Sequence, residues 1–306
     1  MEWTQRLRIR QLTILVELHR TQNVSHAAEA LCMTQPALSK WLADFEGELG
    51  VTLFERLPKG MAPTPCCDAL VVHARNILAE IARTEEALDL MASGARGVLA
   101  IGATHGVAAS LVPVAIASFR QRFPDVRITL ADGVLQHLVT GLREGRLDVV
   151  VGRMDGRVSC QELVYEVLCE ESVRVIAGPG HPLAALDSVS WADTRAYGWI
   201  GLPPGSQLRS ELEYEFAVAA QPPPRVCVET AALLATLALV QHDTLLAAAS
   251  GRVAARFGER GYVVTLPLPY AGTGNVGLLT RADDEASAPR QAFMACVRLA
   301  SGPPGP

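Results

Sequence analysis

The chain has 306 residues, enough for two or three domains of ordinary size. It is 49% hydrophobic and 19% charged, with a net charge of −5, which excludes a disordered chain and a general polyanion binder. The seven cysteines (Cys32, Cys66, Cys67, Cys160, Cys169, Cys227 and Cys296) are odd in number and form no CxxC pair. They read as buried reduced thiols, not as a disulfide framework or a zinc site.

The N-terminus lacks a signal-peptide core, and no uncharged stretch reaches membrane-spanning length; Ala231–Val240 is too short. A cytoplasmic location away from membranes is expected. Residues 1–65 carry seven Lys/Arg and seven acids, so the excess negative charge lies in the remainder. Both lysines, Lys40 and Lys59, fall in the first sixty residues. Any binding to nucleic acid therefore rests on local geometry and not on total charge.

Residues 9–21 have the apolar spacing of a helix, broken by Thr21-Gln22-Asn23. A second helix, Val24–Leu31, follows with Asn23 or Ser25 as its cap, and Ala27 and Ala28 allow close helix contact. Thr34 caps a third helix, with Pro36 in the first turn where no amide is missed. Leu38, Leu42, Phe45 and Leu49 form its buried face, while Gln35, Ser39, Lys40 and Ala43 point the other way. Val51–Arg56 and Met61–Thr64 flank Pro58-Lys59-Gly60 as a β-hairpin wing. The pattern predicts a winged helix-turn-helix.

Residues 67–92 read as one long helix. Cys67, Leu70, Ala74, Ile77, Ile81, Thr84, Leu88 and Met91 step through it by threes and fours, a heptad seam that calls for another chain's helix or, alternatively, packs on its own domain. Ser93–Gly97 is a break. Strands and helices then alternate. Val98–Gly102, Ala108–Phe123, Val126–Leu130, Leu135–Glu144 and Leu147–Gly152 make a βαβαβ block of buried parallel strands.

A second block is expected to hold strands at Leu163–Leu168, Val173–Ala177, Tyr197–Gly201, Val226–Val228 and Thr244–Ala248. Its helices fall at Leu208–Ala219, Ala231–Val240 and from Arg252. Tyr262–Pro267, Val276–Thr280 and the helix Pro289–Leu299 lead back to the first block. Two such subdomains enclose a cleft, where ligands meet strand C-termini and helix N-termini. Ser301–Pro306 is a Gly/Pro tail expected to be disordered.

These segments resemble the LysR-type transcriptional regulators. The match runs from Ser25-His-Ala-Ala-Glu-Ala-Leu31 through Thr34-Gln-Pro-Ala-Leu-Ser39 and Phe45-Glu-Gly-Glu-Leu-Gly50 to Leu53-Phe-Glu-Arg56 and Pro63-Thr-Pro65. Weaker echoes include Phe123-Pro124, Gly145-Arg-Leu-Asp148, His181-Pro-Leu-Ala184 and Pro204-Gly-Ser206. Cys67 stands where the family often has glycine, and Trp41 where it usually has a polar residue.

The resemblance implies an α+β multidomain chain. It comprises a winged helix-turn-helix DNA-binding domain (1–65), a dimerisation linker helix (66–93) and a two-subdomain α/β effector-binding domain of periplasmic-binding-protein-like shape (94–300). The subdomains are expected at 94–162 with 268–300, and at 163–267. Residues 301–306 form the tail.

At the DNA site, Gln35 suits an adenine edge or a phosphate, Pro36 and Ala37 suit a thymine methyl, and Thr34 and Ser39 can donate to phosphates beside Lys40. Thr34 is alternatively a cap alone. Arg56 and Lys59 on the wing reach backbone or minor groove; for Arg56 the alternative is a solvated or internally paired charge. Trp41 reads as a packing residue against wing or linker.

In the cleft, Gly102–Gly106 joins the first strand to its helix, and Thr104 matches the Ser/Thr that many family members direct at their inducer. His105 can add a charge or merely cap the turn. Arg153 suits a carboxylate or a hinge salt bridge. Asp132 and Glu229 suit sugar hydroxyls, and Gly205, Ser206 and Thr230 precede helices that face the same space.

An enzyme is disfavoured by the lack of Walker, GxSxG, dinucleotide or metal motifs, Gly272-Thr-Gly274 being an isolated GxG. A nutrient-binding protein is disfavoured by the attached helix-turn-helix. No cofactor and no metal are expected. The expected partners are promoter DNA, a small-molecule inducer (a sugar or an aromatic or organic acid), RNA polymerase as a candidate, and further copies of the chain as a dimer of dimers, a homotetramer.

Overall fold

The computed structural model describes residues 7–57, 60–92, 97–154, 162–270, 273–282 and 287–302. The chain divides into two units, residues 1–94 with 143–146, and residues 95–142 with 147–306. Lys59, most of the break at Ser93–Gly97, Cys160 and the last four tail residues lie outside the described residues.

In the first unit, α1 (Ile9–Thr21), α2 (Val24–Ala30) and α3 (Gln35–Leu49) precede a hairpin of β1 (Phe54–Leu57) and β2 (Gly60–Pro63). Asn23 starts α2 by accepting from the amides of Ser25 and His26, and Thr34 starts α3 by accepting from Ala37 N. The apolar faces of α1, α2 and α3 meet in one core built on Leu15, Leu18, Leu38 and Phe45. Trp41 stacks on Phe45 at 5.0 Å, packs against this core, and lines a groove with Arg8, Arg10 and Ile14 at the start of α1.

The long helix α4 spans Pro65–Ala92. The first half of its seam is not left for another chain. Cys67 and Ala74 are buried in the core that α1 shares, and Val71, one step off the expected seam, joins them. Burial pushes the Cys67 thiol up to about 12, with Asp68 and Glu46 adding to it, which makes this thiol inert. Beyond that core Ile77 and Leu88 are exposed. Three cysteines, Cys32, Cys66 and Cys227, are exposed free thiols, contrary to the expectation of burial; Cys32 occupies a turn with positive φ.

The second unit holds two five-stranded sheets. In chain order its elements are β3 (Val98–Thr104), α5 (His105–Ala109), α6 (Leu111–Arg122), β4 (Arg127–Gly133), α7 (Leu135–Arg143), β5 (Val149–Arg153), β6 (Leu163–Glu171) and β7 (Val173–Ala177). They continue with β8 (Trp199–Gly201), α8 (Gln207–Val218), β9 (Val226–Glu229), α9 (Leu233–His242), β10 (Leu246–Ser250), α10 (Gly251–Gly258), β11 (Val264–Thr265), β12 (Gly274–Arg281) and α11 (Ala288–Ala300).

The first sheet runs β4-β3-β5-β12-β6, with β3 parallel to β4 and β5, and β12 antiparallel to β5 and β6. The second runs β11-β7-β10-β8-β9.

Four expectations are corrected. The strand at Leu163–Leu168 belongs to the first sheet, because β6 pairs with β12 over its whole length. The crossing between subdomains therefore falls at Ser172, between β6 and β7. The strand within Tyr262–Pro267 stays in the second sheet as β11, paired with β7, so only β12 and α11 return. Strand β4 is an exposed edge and not a buried strand. Ser301, expected in the tail, is buried: Arg252 Nη2 donates to its carbonyl at 2.9 Å.

Candidate nucleic-acid interface and effector cleft

α3 has two unlike faces. Leu38 is fully buried, and Leu42 and Phe45 lie beside it. On the other side Gln35, Pro36, Ala37, Lys40 and Ala43 are exposed, and Ser39 is half-buried. Among the described residues, the side chains of Gln35, Ser39 and Lys40 have no partner within the chain. Thr34 is exposed and caps the helix, its Oγ1 3.4 Å from Ala37 N.

The wing is held to this helix by a contact the sequence did not reveal. Glu46 Oε1 on α3 accepts from Leu53 N at 2.6 Å and Phe54 N at 3.1 Å, where β1 begins. At the far end of the hairpin, Met61 N donates to Gln22 O. Gly60 stands there with φ +101°, and a Cβ would come within 2.8 Å of Gln22 O, so the wing meets the α1–α2 corner only through a glycine. Arg56 is exposed on β1, and no partner is recorded for it among the described residues.

In the second unit, the C-terminal ends of β3, β4 and β5 face a small, partly open cavity. The other wall comes from the loop after β8, the start of α8 and the end of β10. Of the eight cleft residues expected, Thr104, His105, Arg153, Gly205 and Ser206 line this cavity, whereas Glu229 does not and accepts from Arg209 Nη1 at 3.3 Å. Asp132 is at its rim, 3.0 Å from His105 Nδ1, and borders a neighbouring open groove. Thr230 is not in the lining; its hydroxyl accepts from Ala232 N and caps the turn before α9.

Gln207, which follows Gly205-Ser206, lines the cavity with them, as do Glu171 and Ser250, which sequence reading missed. The Ser250-Gly251 strand-to-helix junction was the available signal for Ser250.

Arg153 is 5% exposed and ends the fully buried strand β5. Its Nε donates to Glu211 Oε1 at 2.6 Å, and its Nη2 donates to Glu211 Oε2 and to Glu171 O. Gln207 Nε2 also donates to Glu211 Oε1. The Glu171 carboxylate accepts from Arg252 N at the start of α10 and stands 3.6 Å from Arg153 Nη1. Of the two readings of Arg153, the ion-pair reading is the arrangement present. It joins β5 of the first subdomain to α8 of the second.

A winged helix-turn-helix carried in one chain with a cleft-bearing α/β domain defines a class: DNA-binding regulators of transcription with an effector-binding domain. Residues 9–68 match the profile described as bacterial regulatory helix-turn-helix protein, lysR family. Residues 92–301 match the LysR substrate binding domain. The chain belongs to the LysR family, which consists of transcriptional regulators and not enzymes.

It is 33% identical over 263 residues to the HTH-type transcriptional regulator GbpR of Azospirillum brasilense, covering 86% of this chain and 77% of that one. Its fold is similar to full-length CbnR complexed with its target DNA (TM-score 0.62, 21% identity, 96% of this chain and 100% of that one). The effector-binding domain of QuiR in complex with shikimate is similar as well (TM-score 0.56, 18% identity, 67% and 97%). Among the described residues, no helix is long and apolar enough to cross a membrane.

Proposed function

We propose that the chain binds duplex promoter DNA as an oligomer through the outward face of α3 and responds to a small-molecule inducer held in the cleft. The observation that carries the DNA reading is the two-faced α3. Its apolar side is locked in the core, and its polar side is exposed and without internal partners. A helix of this kind enters the major groove with its N-terminal residues against base edges. Gln35, Pro36, Ser39 and Lys40 are the reading residues. Thr34 and the wing residues Arg56 and Lys59 contact phosphate or minor groove. Support for assembly comes from the exposed Ile77 and Leu88 of α4, which another copy's helix would cover. A symmetric assembly as a dimer of dimers reads an operator with dyad halves about one helical turn, or a multiple, apart.

The inducer class is a sugar or an aromatic or organic acid, bound among Thr104, His105, Arg153, Gly205 and Ser206, with Asp132 at the rim. Shikimate in the QuiR domain is a precedent for a hydroxylated acid. The ligand must bind two subdomain arrangements with different affinity, or DNA binding does not respond.

A mobility-shift assay on the upstream region of the protein's own gene tests the reading. A specific shift that weakens steeply as salt rises is expected. A shift no stronger than with unrelated duplex refutes it. Thermal-shift screening of the full chain against sugars and aromatic acids tests the cleft; a DNA-binding protein stabilised by neither class argues against this inducer class.

A further inference from the structure

We propose that Glu211 is an internal carboxylate that clasps the cleft, and that the effector is an organic anion whose carboxylate replaces Glu211 on Arg153. The proposal rests on the reading of the cleft as the effector site.

The two partners of the ion pair are unequal. Arg153 cannot move away. Its side chain is 6% exposed at the end of a buried strand, and its Nη2 is also bonded to the backbone of Glu171. Glu211 lies near the start of α8 with its side chain 18% exposed, and a change of rotamer takes it toward solvent. With Glu211 swung away, buried Arg153 keeps the Glu171 carbonyl and the Glu171 carboxylate at 3.6 Å but loses both hydrogen bonds to a carboxylate, so opening in water alone is costly. A second carboxylate opens the clasp, because one negative charge replaces another and the desolvation of Arg153 is already met by the fold. Glu171 does not take over these bonds: its Oε1 accepts from Arg252 N, and its Oε2 stays 3.6 Å from Arg153 Nη1, beyond hydrogen-bond length.

The site also holds donors for the incoming group. Arg153 Nη1 is buried, lines the cavity through its residue, and has no hydrogen-bond partner. Ser206 makes no side-chain cap to α8, which leaves the first amides of this twelve-residue helix without that acceptor. Val107, Leu135, Leu202 and Leu208 offer an apolar wall to the body of the ligand.

Gly274 on β12 shows independently that the fold is shaped around the pair. A Cβ there would come within 2.5 Å of Glu211 Oε1 and 2.8 Å of Arg153 Nε and Nη2. The ion pair lies directly over Gly274, and a side chain there would have to push the pair aside. Because Glu211 belongs to one subdomain and Arg153 to the other, exchanging the carboxylate removes the bond between them in the same step.

The test uses the full chain, with benzoate and its neutral counterpart benzamide as probes, titrated by calorimetry. Glu211→Gln removes the competing charge, and benzoate affinity should rise about tenfold or more over wild type, with benzamide unchanged. Arg153→Gln should abolish saturable benzoate binding. In the ligand-free protein, Glu211→Gln and Gly274→Ala should both speed hydrogen exchange in the first turns of α8. Benzoate that binds wild type and Glu211→Gln alike, or fails to bind Glu211→Gln up to its solubility, overturns the proposal. So does unchanged exchange in α8. A promoter mobility shift on each variant reports on the regulator reading separately, so failure of the clasp and failure of that reading are distinguishable.

Discussion

On α3, Gln35 and Lys40 stand exposed without an internal partner, whereas in the cleft Arg153 is 5% exposed and bonded to Glu211 and to the backbone of Glu171. Two of the cleft hydroxyls are engaged too. Thr104 accepts from Arg153 N, and Ser250 accepts from Val253 N. The difference separates two ways of recognising a partner. A free polar face on a rigid helix gives up only water and counterions when a duplex arrives. A paired site must break an internal bond to admit its ligand, so binding there is tied to a change of shape. The first arrangement suits constant reading, the second suits a response.

The comparison fails if α3 is not rigid, and its backing is the place to attack it. Leu38→Ala empties a fully buried position behind the reading face and should cost about 2–5 kcal/mol, read as a lowered thermal unfolding midpoint. A loss within experimental error would show that the face has no packed support.

Glu46→Ala strands the amides of Leu53 and Phe54 and should cost about 1–3 kcal/mol, with faster hydrogen exchange in the wing than in α1. Uniform exchange across the unit would show that the wing is not held through α3. Thr34→Ala should cost about 1 kcal/mol through loss of the cap. A promoter affinity that falls further than this destabilisation explains would assign Thr34 a phosphate contact as well.

The smallest effect concerns pH in the cleft-bearing unit. His181 is buried, and burial holds its imidazole below the ordinary histidine range. Its Nδ1 accepts from Leu183 N, so protonation there also breaks a bond. The unfolded chain takes up a proton that the folded one resists. The stability this group supplies is therefore complete above the unfolded value of about 6.5 and is lost as pH falls below it. Unfolding of wild type and His181→Phe, followed between pH 8 and 5 on the ordinary histidine scale, should show the steeper decline in wild type. Parallel curves would remove His181 from the account.

The first unit was largely legible in the sequence, because its signals are local. Asn23 and Thr34 cap the helices that begin beside them, and the spacing of Leu38, Leu42 and Phe45 marks the buried face. The second unit was legible in its elements and less so in their pairing. Leu163–Glu171 has the pattern of a strand, but which sheet it joins depends on β12, more than a hundred residues later in the chain. Arg153 was visible as a cleft residue at the end of a strand. Glu211 was not, because on its own helix it looks like one more solvated carboxylate; only the closure of the two subdomains brings it to Arg153, 58 residues away in sequence. The half-turned seam of α4 has the same cause: periodicity gives a face, not the identity of what covers it.

The central claim is that the outward side of α3 meets the duplex. Fluorescence anisotropy with labelled upstream DNA, comparing wild type with the Gln35→Ala, Lys40→Glu double variant, tests it most directly. The account predicts a loss of promoter affinity of about a hundredfold or more with the unfolding midpoint unchanged. Equal affinity for the two proteins would contradict it.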